Sequence, residues 1–306
     1  MLTNRFGADE GIVNWLTKNN YVGGGDISIT GLSRPPQMRV LEKRYGHLIK
    51  QDVSDLLASA RGSLAHAAVA AYGIPNEWSE KRIYADVLGW KVSGQPDKFS
   101  ALHLNNGTLI DFKFPTLSSF KFGFQRDKGL KREYVEQGNG YRWLLAQQGV
   151  TVNKIVFKPT LVEWSKRHAR LQKDYPPSPF YNFEIPMWTL GETQSWIEKR
   201  VRAHQAAEKM PDHLLQECDF ESRWGQPSKY AVKKEGKKNA VRGGLHDTEG
   251  PARDMVKALG AGHYVEHRPG EFVRCGADNY CKVNFACQQV KREMPEGVDM
   301  SMAAGA

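Results

Sequence analysis

Cysteine is missing from the first 217 residues of this 306-residue chain, and the four present are Cys218, Cys275, Cys281 and Cys287. A disulfide framework belongs to short secreted chains, so that class is set aside. The C-x-x-C pair of ordinary zinc ribbons is missing too. No run of eighteen apolar residues occurs, so no segment reads as a membrane span. The opening "MLTNRFGADEG" lacks the basic-then-apolar pattern of a secretory signal. The expectation is a soluble, cytoplasmic chain with no membrane partner. No internal repeat is present.

What the chain does have is ordinary globular material. With 40% hydrophobic and 25% charged residues it can build a sizeable core. Its length suits one large domain, or one core with an appended module. A formal charge of +9 points towards a polyanionic partner such as nucleic acid, although a basic balance also serves solubility.

Residues 1–51 read as an entry segment, with the double proline of "SRPPQMRVLEKRYG" ahead of a helix-like stretch. "DVSDLLASARGSLAHAAVAA" (52–71) predicts a helix capped by Asp52 or Ser54 and carrying His66. "SEKRIYADVLGWKVSGQPDKFSALHLNNGTLIDFKF" predicts successive strands, with "LNNGT" as a tight turn. The spacing of Tyr134, Tyr141, Leu144 and Leu145 predicts a helix; "VNKIVFKPTLVEW" reads as a strand and "LGETQSWIEKRVRAHQAAEKM" as a helix. The fold class is therefore α/β, a mixed central β-sheet flanked by helices, over 52–210. Composition shifts near Pro211. A basic strand–turn–strand around Glu235-Gly236, a short helix ("PARDMVKALGAG") and the cysteines then form a module over 211–293, and 294–306 reads as a disordered tail.

The chemistry concentrates in residues 94–113. Adjacent strands can bring Asp97 and Asp111 together at one sheet end, where two carboxylates repel unless a cation lies between them. Hard oxygen ligands favour Mg²⁺ or Mn²⁺. Lys113, two residues after Asp111, leaves the strand on the same face, where an ammonium can orient a water or stabilise charge on a phosphate.

These residues resemble the PD-(D/E)XK nucleases, and in particular the RecB-like exonuclease branch. "GQPD" and "DFK" match the paired motif, "GSLAH" the upstream G-x-x-x-H, "SEKR" the glutamate Glu80, and "QGNGY" the downstream Q-x-N-x-Y. The resemblance implies a restriction-endonuclease-like core. It implies that His66, Asp97, Asp111 and the Phe112 carbonyl hold the metal with Glu80 nearby. Lys113 would position the attacking water, and Gln137 and Tyr141 would line the site and contact the DNA backbone.

The cysteines Cys275, Cys281 and Cys287 are spaced six apart, with Cys218 upstream. Four thiolates suit a [4Fe–4S] cluster or tetrahedral Zn²⁺. The module is similar to the four-cysteine cluster of AddB-type and CRISPR-associated RecB-like nucleases. There one cysteine precedes the nuclease motifs, whereas here all four follow, which leaves both metals open. The stretch 218–242 also resembles phage-encoded members of the group.

Two basic stretches are candidate DNA contacts: Lys121, Arg126, Lys128 and Lys131 in "FKFGFQRDKGLKR", and Lys233, Lys234, Lys237 and Lys238 at the hairpin tip. Phe120, Phe122 and Phe124 alternate as on a strand face, either as core or as base-stacking groups. The expected function is a metal-dependent DNA exonuclease in phage recombination, replication or end processing, in the host cytoplasm if phage-encoded. A recombination or single-strand annealing protein is a candidate partner. A non-catalytic DNA-binding protein and a restriction-type endonuclease are the alternatives.

Overall fold

The computed structural model describes residues 2–18, 23–72, 78–103, 106–124, 130–276 and 280–293. The chain divides into two compact units, Met1–Pro36 with Lys50–Met210, and Gln37–Ile49 with Pro211–Ala306. One boundary between the two units falls between Met210 and Pro211. The expected N-terminal segment 1–51 is not one piece, because residues 37–49 leave it for the cysteine-bearing unit.

The first unit begins with β1 (Leu2–Thr3), α1 (Glu10–Thr17), β2 (Ile27–Ser28) and α2 (Ile29–Ser33). The next helix, α3 (Pro36–Tyr45), has its body in the second unit. The first unit resumes with β3 (Gln51–Asp52), α4 (Leu57–Ala71), β4 (Trp78–Ser79), β5 (Ile83–Val87) and β6 (Trp90–Gly94). Then come β7 (Lys98–His103), β8 (Asn106–Lys113), α5 (Leu117–Phe124), α6 (Arg132–Ala146) and β9 (Thr151–Pro159). It closes with α7 (Lys166–Leu171), β10 (Phe183–Glu184) and α8 (Leu190–Lys209).

Five strands form a mixed sheet in the order β10-β9-β8-β7-β4, in which β8 and β9 are parallel and the other pairs antiparallel. A parallel pair needs a crossover, and α5 and α6 supply it. A second, three-stranded sheet runs β2-β6-β5. Its β5–β6 hairpin turns at Leu88 and Gly89, both at positive φ. Phe99, Leu109, Leu144, Leu145, Ile155, Phe157 and Ile185 are fully buried in one apolar cluster.

Helix α6 sits at the centre of this packing, and its two glycines have a reason to be there. A Cβ on Gly140 would lie 2.5 Å from Ile29 Cγ2, and one on Gly138 would lie 3.0 Å from Ile155 Cγ2. The helix gives up about 1 kcal/mol of propensity at each glycine and gains close approach to α2 and β9. Asn139, between them, is fully buried and accepts from Trp188 N while donating to the Val135 and Pro186 carbonyls.

Two local expectations change. The turn expected over "LNNGT" does not include Asn106 and Gly107, which are already in β8; Asn105 lies outside the described residues. Glycine is required at 107 by closeness, since a Cβ there would meet the Ser100 carbonyl oxygen at 2.0 Å. Residues 117–124 are helical, so Phe120 and Phe124 share a helix face rather than a strand face. Both are buried and stacked on each other, with Tyr181, Phe183 and Tyr134 alongside, and neither can stack on a base.

The second unit contains α3, then β11 (Gly225–Gln226), β12 (Lys229–Lys234), β13 (Ala240–His246), α9 (Glu249–Leu259), β14 (His263–Arg268), β15 (Glu271–Phe272) and α10 (Gln288–Glu293). An antiparallel sheet β13-β12-β14 packs against α9, and the expected hairpin turns at Gly236 with φ +71°. Helix α3 is held by an Arg44–Asp212 ion pair at 2.5 Å and by a Tyr45 hydroxyl–Asp212 hydrogen bond. The tail expected over 294–306 lies outside the described residues. Among the described residues no helix is long and apolar enough to cross a membrane.

Candidate active site and cysteine cage

Four elements of the first unit converge on the opening motif. Asp97 immediately precedes β7, and its Oδ2 accepts a 2.7 Å hydrogen bond from Phe112 N on β8. The register that pairs Lys98 with Ile110 places Asp97 beside Asp111. Asp111 is 1% exposed. One of its oxygens accepts from Gln137 Nε2 at 3.0 Å. The other lies 2.5 Å from Lys113 Nζ, an ion-pair distance at an angle too poor for a hydrogen bond, so Oδ2 has no hydrogen-bond donor among the described residues.

Lys113 is fixed from three sides. It donates to Gln137 Oε1 at 3.1 Å, and its ammonium lies over the Phe157 and Tyr134 rings, 5.0 and 5.7 Å from their centroids. Gln137 thus bridges the acid and the lysine through its two amide ends. Tyr141 sits one turn on in α6. It is buried, and its hydroxyl accepts from Gln137 at 3.3 Å, so it supports Gln137 and has no face left for a DNA phosphate.

Helix α4 brings His66 to the same place. Asp52 starts the preceding single turn with a reciprocal cap to Asp55. His66 Nδ1 lies 3.4 Å from Asp97 Oδ2 and 3.8 Å from Glu80 Oε1. Phe114 packs edge-on against the imidazole at 5.2 Å. Glu80 has φ +52°, a left-handed backbone that is costly for a side-chain-bearing residue. Its N–H donates to the Asp97 carbonyl at 3.1 Å. Ligand atoms of His66, Glu80 and Asp97 all lie within 4.8 Å of one another.

Burial pushes the Asp97 carboxyl up to about 8, and the neighbouring Asp111 and Glu80 charges add to the shift against the Lys113 ammonium. Burial lowers the His66 imidazole, which favours its neutral, ligand-competent form. Three carboxylates around one ammonium and a neutral imidazole leave room for a cation. The donors are one nitrogen and several hard oxygens, which fit Mg²⁺ or Mn²⁺. Asp111 lies outside the tight His66–Glu80–Asp97 group, and the Glu80 expected only nearby lies inside it.

Sequence reasoning missed the brace behind Glu80. Gln95 donates to Glu80 Oε2 at 2.7 Å and accepts from Arg82 Nη2 at 2.8 Å. Gln95 is one of the two unspecified positions of "GQPD", so the motif carried no signal for it.

The four cysteines are unpaired by disulfides and line one small cavity in the second unit, together with Gln37, Met38 and Leu41. Burial and the three other cysteines push the Cys218 thiol up to about 12. Cys218 Sγ donates to Gln37 Oε1 at 3.3 Å, and Gln289 clamps the Cys218 peptide by accepting its N–H at 3.0 Å and donating to its carbonyl at 3.1 Å. Arg223 Nε lies 3.5 Å from Cys275 Sγ. The cysteines do not form a group of ligand atoms within 4.8 Å of one another among the described residues.

Of the candidate DNA contacts, Lys121 is exposed on α5 and Lys131 sits at the α6 N-cap, 5.9 Å from the Tyr134 ring centroid. Arg126 and Lys128 lie outside the described residues. Lys234, Lys237 and Lys238 are exposed at the hairpin. Lys233 is not, because it turns back to Glu266 at 2.8 Å.

No protein-family model matches the chain, and no curated protein does. Among solved structures the chain is similar to the crystal structure of SSO0001, with 17% identity, a TM-score of 0.43, and 63% of this chain and 84% of that chain covered.

Proposed function

We propose that this chain is a metal-dependent deoxyribonuclease that removes nucleotides from DNA ends. The observation that carries the reading is the meeting of His66, Glu80 and Asp97 with the Asp111–Gln137–Lys113 bridge at one end of the β7–β8 pair. His66, Glu80 and Asp97 would hold Mg²⁺ or Mn²⁺ with Asp111 alongside. When bound, the ion supplies Lewis-acid activation of water and neutralises charge on the phosphate.

The remaining chemistry belongs to the chain. Lys113, oriented by Gln137 and Asp111, stands ready to hold the attacking water and to stabilise negative charge as its oxygen bonds to phosphorus and the P–O ester bond breaks. Asp111 keeps the ammonium aimed through their ion pair. Tyr141 and the buried face of α6 fix Gln137, so the donors need little reorganisation.

For the cysteines, we infer a [4Fe–4S] cluster in preference to zinc. Zn–S bonds of about 2.3 Å in a tetrahedron put sulfurs about 3.8 Å apart. The sulfurs surround a common cavity, and their six-residue spacing lacks the C-x-x-C of zinc ribbons. Arg223 beside Cys275 offsets thiolate charge. The role is structural.

The deciding experiment is a paired digestion of end-labelled linear duplex, linear single strands and closed circles with Mg²⁺, Mn²⁺ or EDTA, alongside a folded Lys113→Ala variant. Metal-dependent loss of linear DNA that spares circles and disappears in the variant supports the exonuclease. Cutting of circles moves the reading to an endonuclease. Binding without cleavage under any metal sinks the enzyme and leaves a DNA-binding protein.

A further inference from the structure

Two arginines stand at the cysteine cage, and their charges are balanced differently. Arg223 is 5% exposed and lies over the Phe272 ring, 3.4 Å from its centroid. Its two terminal nitrogens pair with the two oxygens of Glu293, Nη1 at 2.9 Å, while its Nε faces Cys275 Sγ. That guanidinium already has its carboxylate.

Arg274 has none among the described residues. Its backbone is clamped at the cage: its N–H donates to the Arg223 carbonyl at 3.1 Å, and its carbonyl accepts from Cys281 N at 2.9 Å. The residue lines the cavity with the four sulfurs. Nη1 donates to the Ser222 carbonyl at 3.0 Å, and the guanidinium carbon lies 5.1 Å from the Trp224 ring centroid. Nε is wholly buried and has no acceptor among the described residues. The Arg274 charge reaches Cys218 and Cys281, where it favours the thiolate. A buried N–H without an acceptor is costly, and so is a partly buried charge without a counter-charge. An anionic, sulfur-rich group in the cage removes both costs.

We propose that Arg274 donates its Nε–H to a sulfur of the cluster and sets how readily that cluster takes an electron, an inference that rests on the cluster reading. Four thiolates give a [4Fe–4S] group a net negative charge, and one added electron increases it. An unneutralised guanidinium beside it stabilises the reduced state and raises the midpoint potential. Arg223, neutralised by Glu293, contributes less.

The test uses the full chain purified without oxygen and assayed for iron and sulfide. It is then titrated with dithionite as electron donor while EPR follows the reduced cluster. Wild-type protein without iron sinks the cluster reading before any variant is compared, and this inference with it. Arg274→Met keeps the stem but loses the charge and the donor. Its reduced fraction at the wild-type midpoint should fall about tenfold, a midpoint about 59 mV more negative for one electron. Arg274→Lys restores the charge without the Nε–H and should fall in between. Arg292→Leu is the control, since Arg292 is exposed on α10 and paired with Glu217, and it should keep the wild-type midpoint. An iron-loaded Arg274→Met at the wild-type midpoint, or an equal shift in Arg292→Leu, overturns the proposal. Should Arg274→Met hold no iron, Arg274→Lys decides. A lowered midpoint there supports the hydrogen bond, whereas a wild-type midpoint overturns it. Absence of iron from Arg274→Lys overturns it too, because Arg274 would then build the cage rather than tune what it holds.

Discussion

Gln95 holds Glu80: its side-chain amide donates to Glu80 Oε2 at 2.7 Å, while Arg82 holds the other end of the same amide. The strained φ of +52° at Glu80 makes sense with that brace, because backbone and side chain are both fixed towards His66 and Asp97. Partners behind metal ligands typically set affinity by about 10- to 100-fold. Gln95→Leu is therefore expected to raise the Mn²⁺ concentration for half-maximal cleavage about tenfold, with turnover at saturating Mn²⁺ largely kept. A metal titration that superimposes on the wild type would remove Gln95 from this role.

Metal binding should be strongly pH-linked through Asp97. Its carboxyl holds a proton to about 8 in the metal-free fold, against 3.8 for the ordinary group. As pH rises from about 4 to about 8, the unfolded chain has released that proton and the folded one has not, so folding loses stability over this window. A cation expels the proton and cancels the loss. The rise in Tm on adding Mn²⁺ should accordingly be larger at pH 8 than at pH 6, and Asp97→Asn should flatten the metal-free pH dependence. A Tm increment that does not change with pH contradicts the assignment of Asp97 as ligand.

Much of this site was expected through the resemblance of its motifs, and periodicity places two of its pairs. Asp111 and Lys113 share a strand face by the two-residue alternation, and Gln137 and Tyr141 share a helix face by the four-residue one. The strands β5 to β9 and the helices α6 and α8 were expected from the sequence, whereas α5, α7 and β10 were not. What could not be read depends on who packs against whom. Nothing in "GNG" says that Ile29, more than a hundred residues earlier, needs the room that Gly140 leaves. The alternating phenylalanines of 120–124 look like a strand until the burial of Phe120 and Phe124 on one helix face is known. Lys233 looked like its neighbours at the hairpin tip, and only the register with β14 puts it against Glu266.

The two glycine environments give a stability contrast. Gly140→Ala forces a methyl to 2.5 Å from Ile29 Cγ2 and should cost about 1 to 3 kcal/mol as overpacking. Gly62, in α4, has nothing within 4 Å of a Cβ, so Gly62→Ala should be stabilising by about 0.5 to 1 kcal/mol through helix propensity. Urea denaturation of the two variants measures both signs at once. Equal effects would mean that α6 does not pack as closely on α2 as described.

The cysteine cage makes the last prediction, because two distant parts of the chain share it. Gln37, Met38 and Leu41 on α3 line the same cavity as the four sulfurs, and Gln289 ties the Cys218 peptide to α10. Whatever the sulfurs hold therefore also anchors α3. Protein purified without oxygen is expected to carry iron and acid-labile sulfide in about equal amounts. Zinc in their place, at one ion per chain, would overturn the cluster assignment. Cys281→Ser should lose the iron, and limited proteolysis of that variant should open two regions together, 37–49 and 211–293. The coupling follows from burial: Met38 and Leu41 are almost wholly covered, and loosening the cage exposes their helix along with the ligand loops. Cleavage confined to 211–293, with α3 still protected, would show that α3 is held by Asp212 alone and not by the cage.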